Sequence, residues 1–233
     1  MIVIGHRGAR ALEPENTLRA LRKGISCGAD RVEIDVRLSS DGVPVVIHDD
    51  SVDRTTSGNG AVSSMTLLEL QALDAGRGER IPTLAEVCEF VKEAAARLVV
   101  EIKEVGSEAV VCSVLKAHRI EGLMIVSFHE ESIRAARELL PGTITGHIFS
   151  RATPDPAGTA RLSGASMILP KYTLLSERMV RNAHRQGILV VPWTLNGPEA
   201  WERALSLGVD GFATDDPCAA RDYLSGREEN TDG

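Results

Sequence analysis

The chain has 233 residues, 43% of them hydrophobic and 25% charged, with a formal net charge of −7. That length and mix suit a single globular domain of α/β barrel size. The acidic balance argues against nucleic acid or a stable membrane association, because both reward clustered Lys and Arg. No stretch approaches the ~20 apolar residues of a membrane span.

In chain order, short aliphatic runs at residues 1–4, 31–38, 98–102, 123–128, 144–149, 166–170, 188–193 and 209–213 read as strands. Most are apolar on both faces, as buried parallel strands are. Helical spacing falls mainly between them, at residues 16–26, 83–97, 108–118, 130–140, 176–187 and 198–208. Thr83 with Glu86 reads as a capping box, and Gly187 and Gly208 stand where C-terminal glycines belong. The alternation predicts an α/β fold, a (β/α)8 TIM barrel, with an open doubly wound sheet as the alternative.

One segment departs from this rhythm. Residues 31–48 hold two strand-like runs around Asp41-Gly42, a hairpin signal. A two-residue turn there sets Asp35 opposite His48, with Glu33 on the same face. Residues 49–80 are polar and glycine-rich around one short helix at 67–73, and read as a small insertion at the rim. The expected organisation is one catalytic domain over residues 1–225, followed by a flexible tail at 226–233.

Four cysteines, Cys27, Cys88, Cys112 and Cys218, lie far apart with no C-x-x-C pair. That predicts reduced thiols, and with no signal-like opening it predicts a cytoplasmic location.

Sites in such barrels form at the C-terminal strand ends. Here those ends carry His6-Arg7, then Glu33 and Asp35, then Glu101 and Lys103, then Ser127-Phe128, Trp193 and Thr214-Asp215. Three carboxylates on one rim resist joint ionisation unless a cation neutralises them. Oxygen ligands favour Mg2+ or Ca2+ over zinc. Pairing of each carboxylate with a neighbouring Arg or Lys is the alternative, and the E-x-D and E-x-K spacings favour the cation. His6 and His48 would flank it as a general acid and base, while Arg7 and Lys103 suit a phosphate oxygen. His118, His129 and His184 read as structural, and the role of His147 stays open. The G-x-S-x-G setting of an acyl-enzyme nucleophile is absent.

The motifs "HRGARALEPENT", "EIDVRLSSDGVPVVIHDDSVDRTTSGNG", "IPTLAEV", "VEIK", "VSF", "VPWTLN" and "GVDGFATDDP" occur in order from residue 5 to about 217. Together they resemble the glycerophosphodiester phosphodiesterase family. The resemblance implies a hydrolase that releases sn-glycerol 3-phosphate and an alcohol with a divalent cation, in lipid and glycerol metabolism. It implies His6 and His48 as the acid/base pair and Arg7 as the phosphate ligand that stabilises transition-state charge. It implies Lys103 as a second phosphate contact, and Glu33, Asp35 and Glu101 as metal ligands. Asn16 would support the His6 loop. Phe128 and Trp193 would form an apolar wall for the substrate, unless they are ordinary core aromatics. Two other readings compete. A phospholipase C or D-like diesterase would use exposed apolar loops or basic patches, which the sequence does not display. A non-catalytic phosphate-binding barrel would have lost a His or carboxylate, and none is missing.

Overall fold

The computed structural model describes residues 1–231. The strands are β1 (Ile2–Gly5), β2 (Arg31–Leu38), β3 (Pro44–Val46), β4 (Leu98–Ile102), β5 (Met124–Ser127), β6 (Ile144–Phe149), β7 (Met167–Pro170), β8 (Leu189–Val190) and β9 (Gly211–Thr214). All but β3 run parallel, in the order β8-β7-β6-β5-β4-β2-β1-β9. The β8–β9 seam is joined by bonds from Asp210 N to Val190 O and from Ala213 N to Pro192 O, both 3.0 Å. The result is a nearly closed barrel whose lumen is filled by aliphatic side chains such as Ile4, Val99, Val126, Ile148 and Leu169.

The helices are α1 (Leu18–Ser26), α2 (Leu67–Gln71), α3 (Leu84–Glu93), α4 (Glu108–His118), α5 (Glu130–Leu139), α6 (Pro156–Ser163), α7 (Glu177–Arg185), α8 (Pro198–Leu207) and α9 (Pro217–Thr231). Thr83 and Glu86 form the expected reciprocal cap on α3, and Gly208 takes the left-handed conformation after α8. Helix α6 has no strong apolar stripe to announce it. It starts at Pro156, and the Asp155 carboxylate accepts from Gly158 N at 3.1 Å. Helix α9 runs into the segment expected as a tail, and residues 232–233 lie outside the described residues.

The hairpin register differs from expectation by one residue. Val36 pairs with Val46 and Leu38 with Pro44, and Ile47 N donates to Asp35 O at 3.0 Å, so Ile47 rather than His48 stands opposite Asp35. The cause is the turn. Ser39 N donates to Val43 O, which makes a three-residue loop of Ser40–Gly42, with Gly42 left-handed at φ 77°.

The thiol expectation also needs correcting. Cys27, at the C-terminal cap of α1, is disulfide-bonded to Cys218 in the first turn of α9, while Cys88 and Cys112 are free and buried. The cytoplasmic reading loses the support that four reduced thiols gave it. Among the described residues, no helix is long and apolar enough to cross a membrane.

Candidate active site

The site begins where β1 leaves the ladder. His6 N still donates to Thr214 O at 2.9 Å, and the chain then turns back with Arg7 at φ 50° and Gly8 at φ 85°. A Cβ on Gly8 would lie 2.4 Å from the Ala20 carbonyl carbon, so only glycine lets α1 pack this close. The turn aims Arg7 N at Glu33 Oε2, 2.8 Å away. Asn16, also left-handed at φ 59°, donates its own N–H to Arg7 O and its side-chain amide to Asp35 Oδ2 at 2.9 Å. It thus braces the Arg7 turn and Asp35 together.

Alternation along β2 sets Glu33 and Asp35 on one face, and the β2–β4 register sets Glu101 beside Asp35. Ligand oxygens of the three lie within 4.8 Å of one another, and all three residues are buried, Asp35 to 1% exposure. Lys103 Nζ lies 2.6 Å from Glu101 Oε1 and 3.3 Å from Asp35 Oδ1.

Burial and the charges of Asp35 and Glu101 push the Glu33 carboxyl well above the usual range. Burial and Asp35 push Glu101 up to about 7, against the pull of Lys103. Burial opposes ionisation of Asp35 as well, but Lys103, Arg7, His48 and the Asn16 bond outweigh it and hold that carboxyl low. Lys103 stays charged for the converse reason: Asp35 and Glu101 outweigh its burial. Two cations do not let all three carboxylates ionise together, and the donors are all oxygen. Glu33, Asp35 and Glu101 therefore fit a hard divalent cation.

His6 and His48 line the same cavity, of about 80 Å³, with Arg7, Glu33, Glu101 and Lys103. His48 arrives there although it misses the ladder. Its carbonyl accepts from Arg37 Nε at 2.9 Å, which holds the strand end against β2. Each imidazole has its Nδ1 against a carboxylate: His6 on Asp215 Oδ1 at 2.6 Å and His48 on Asp49 Oδ1 at 2.5 Å. With Nδ1–H donated, Nε2 is the nitrogen left for proton transfer. Burial, followed by Lys103 and Arg7, lowers the His48 pKa against the opposing pull of Asp35 and Asp49. Asn196 fixes Asp215 in turn, donating to its Oδ2 at 2.9 Å and accepting its backbone N–H.

Arg7 Nη1 donates to Glu15 Oε1 at 2.7 Å. Its Nε is buried 3.2 Å from Asp35 Oδ2, so that edge of the guanidinium faces the carboxylate behind the cavity. Phe128 and Trp193 meet edge to face at 5.8 Å and line the cavity wall, with Lys103 Nζ 5.8 Å from the Phe128 ring.

Every site residue expected from sequence thus lies at this cavity except Asp35, which sits directly behind it under Arg7 and Lys103. His147 does not join them: its neighbour Ile148 lines the cavity, while the His147 ring lies 6.0 Å from that of Phe149, a residue of the layer under the helices. His118 and His184 close α4 and α7, bonded to Val114 O and Asp210 Oδ2, and His129 precedes α5. The sequence reading assigned no role to Asp215, Asp49, Glu15 or Asn196. Asp49 and Asp215 were signalled only by their positions next to His48 and after the last strand.

Over residues 6–219 the chain matches the glycerophosphoryl diester phosphodiesterase family. It is similar to a glycerophosphodiester phosphodiesterase of Caldanaerobacter subterraneus, at 37% identity over 93% of this chain and 94% of that one. Among solved structures, a phosphodiesterase of Oleispira antarctica in complex with the product sn-glycerol-3-phosphate superposes with a TM-score of 0.91. It is 30% identical and covers 97% of each chain. A glycerophosphodiester phosphodiesterase of Thermotoga maritima gives a TM-score of 0.81 at 30% identity, over 94% of this chain and 96% of that one.

Proposed function

The chain belongs to the glycerophosphoryl diester phosphodiesterase family, and from that membership and the cavity's geometry we propose that it hydrolyses glycerophosphodiesters to sn-glycerol 3-phosphate and an alcohol. The reaction depends on a divalent cation, Mg2+ or Ca2+, and on His6 and His48. The observation that carries this reading is the meeting of three buried carboxylates, two cations and two carboxylate-bonded imidazoles in and directly behind one cavity.

Glu33, Asp35 and Glu101 hold the cation, which when bound neutralises charge on the phosphate and its reacting oxygens. Arg7 and Lys103 bind the phosphate. One imidazole removes the proton of the attacking hydroxyl as its P–O bond forms. The other protonates the departing oxygen as that P–O bond breaks. The neighbouring glycerol hydroxyl is a suitable first nucleophile. Water then opens the resulting cyclic phosphate, with the imidazole roles exchanged. No protein nucleophile is then required. Phe128 and Trp193 pack against the carbon skeleton of the substrate.

Val105, Phe128 and Tyr172 are exposed on segments that follow β4, β5 and β7, at the end of the barrel where the site lies. The sequence reading found no exposed apolar loops. These three favour, as a second reading, a phospholipase D-like diesterase acting on a diester with an acyl chain.

The residue roles are tested by His6→Ala and His48→Ala. Each should abolish diester hydrolysis while calorimetric cation binding persists. Turnover surviving in either variant removes that histidine from the acid/base pair.

A further inference from the structure

The insertion between β3 and α3 brings Arg54 back to the edge of the site, and its guanidinium forms two forks. Nε and Nη2 donate to Asp49 Oδ2 and Oδ1 at 2.6 and 3.1 Å, while Nη1 and Nη2 donate to Glu15 Oε2 and Oε1 at 2.9 and 2.8 Å. These are the carboxylates that hold the His48 ring and the Arg7 guanidinium, at 2.5 and 2.7 Å. The bonds form one unbroken line, His48–Asp49–Arg54–Glu15–Arg7, joining groups from the end of β1 and the end of the hairpin.

Arg54 does not itself line the cavity, and its side chain is 45% exposed. Arg10 reaches Glu15 Oε2 at 3.2 Å but makes no bond to Asp49. A planar guanidinium fixes the angle between two carboxylates, which an ammonium does not. Without it Asp49 and Glu15 lose their common partner, and Glu15 keeps only Arg7 and Arg10, neither of which ties it to Asp49.

We propose that Arg54 is a positioning residue that sets the His48 imidazole and the Arg7 guanidinium in fixed relation to each other across the substrate phosphate. This rests on the proposed roles of His48 and Arg7 in phosphodiester hydrolysis.

The test compares wild type, Arg54→Ala and Arg54→Lys on glycerophosphocholine, with kcat and KM read separately and cation affinity measured by calorimetry. Arg54→Ala should lose about 10- to 100-fold in kcat, the usual effect of an outer partner of a site, with little change in KM or cation affinity. Lysine should restore little, and guanidinium ion added to Arg54→Ala should restore part of kcat. Combining Arg54→Ala with Asp49→Asn should cost no more than the poorer single change, since both act through one line. Full kcat in Arg54→Ala, a loss shared by cation binding, or multiplicative losses in the double variant would each overturn the proposal. A nitrogen spectrum of the His48 ring gives a readout independent of turnover. One Nδ1–H tautomer is expected in wild type and a mixture in Arg54→Ala; identical spectra overturn the proposal. Wild type that hydrolyses no diester contradicts the functional reading instead, and the spectrum then decides the positioning role by itself.

Discussion

His6 Nδ1 lies 2.6 Å from Asp215 Oδ1, and this contact joins the C-terminal ends of β1 and β9 across the ladder that pairs them. The Asp215 carboxylate also accepts from the Asn196 amide while Asp215 N donates to Asn196 Oδ1, so the carboxylate is held before it holds the imidazole. Asp215→Asn keeps the shape and removes the charge. It should lower kcat by about 10- to 100-fold, within the share a positioned acid or base supplies, and leave cation affinity as it was. Steady-state kinetics with calorimetry checks this; an unchanged kcat would show that His6 needs no partner.

Glu33 is held against two other carboxylates by the fold. Its replacement by alanine removes a ligand and relieves repulsion at once, so the protein should tolerate it. Cation affinity should fall at least ~10-fold while the metal-free protein melts no lower than wild type. Retention of full affinity in Glu33→Ala removes Glu33 from the ligand set.

Glu15 gives a pH dependence of stability. Burial disfavours its charge, but bonds and attraction from Arg54 and Arg7 outweigh this and hold its pKa down to about 2, from 4.5. A depressed carboxyl contributes stability above the unfolded value and loses it as pH falls through the folded one. The window therefore runs from pH 4.5 down to about 2. Allowing for the exposure of Arg54, the contribution is about 2 kcal/mol. Glu15→Gln should lower the melting temperature at pH 7 and flatten its decline across that window. An equal decline in both proteins would contradict this.

Cys27 and Cys218, 191 residues apart, close nearly the whole chain into one covalent loop. A link of that span restricts the unfolded chain, and its removal should cost roughly 2–5 kcal/mol. Reductant, or the paired change Cys27→Ser and Cys218→Ser, should lower the melting temperature. A melt indifferent to reductant would mean that the bond does not stabilise the protein.

The barrel was legible in sequence because each strand is a short aliphatic run between helical patterns. The acidic cluster was legible because residues two apart in a strand share a face, as Glu33 and Asp35 do. Other features depend on contacts that spacing does not carry. Asp215 meets His6 across 209 residues, and Arg54 meets Glu15 across 39. The disulfide is invisible for the same reason. Asp41-Gly42 was recognised as a turn, but a loop of three residues rather than two moved the register by one. His48 lines the cavity anyway, with Arg37 Nε holding its carbonyl just beyond the end of the ladder. Helix α6 escaped notice because it carries no strong apolar stripe, and its only signals are the capping Asp155 and the leading Pro156.

The most direct measurement is release of glycerol 3-phosphate from glycerophosphocholine and glycerophosphoethanolamine, with Mg2+, with Ca2+ and with EDTA, alongside lysophosphatidylcholine. Release from the soluble diesters that EDTA stops and added cation restores is the predicted result. Release that persists in EDTA, or turnover confined to the lysolipid, would contradict the proposed cation-dependent hydrolysis of glycerophosphodiesters.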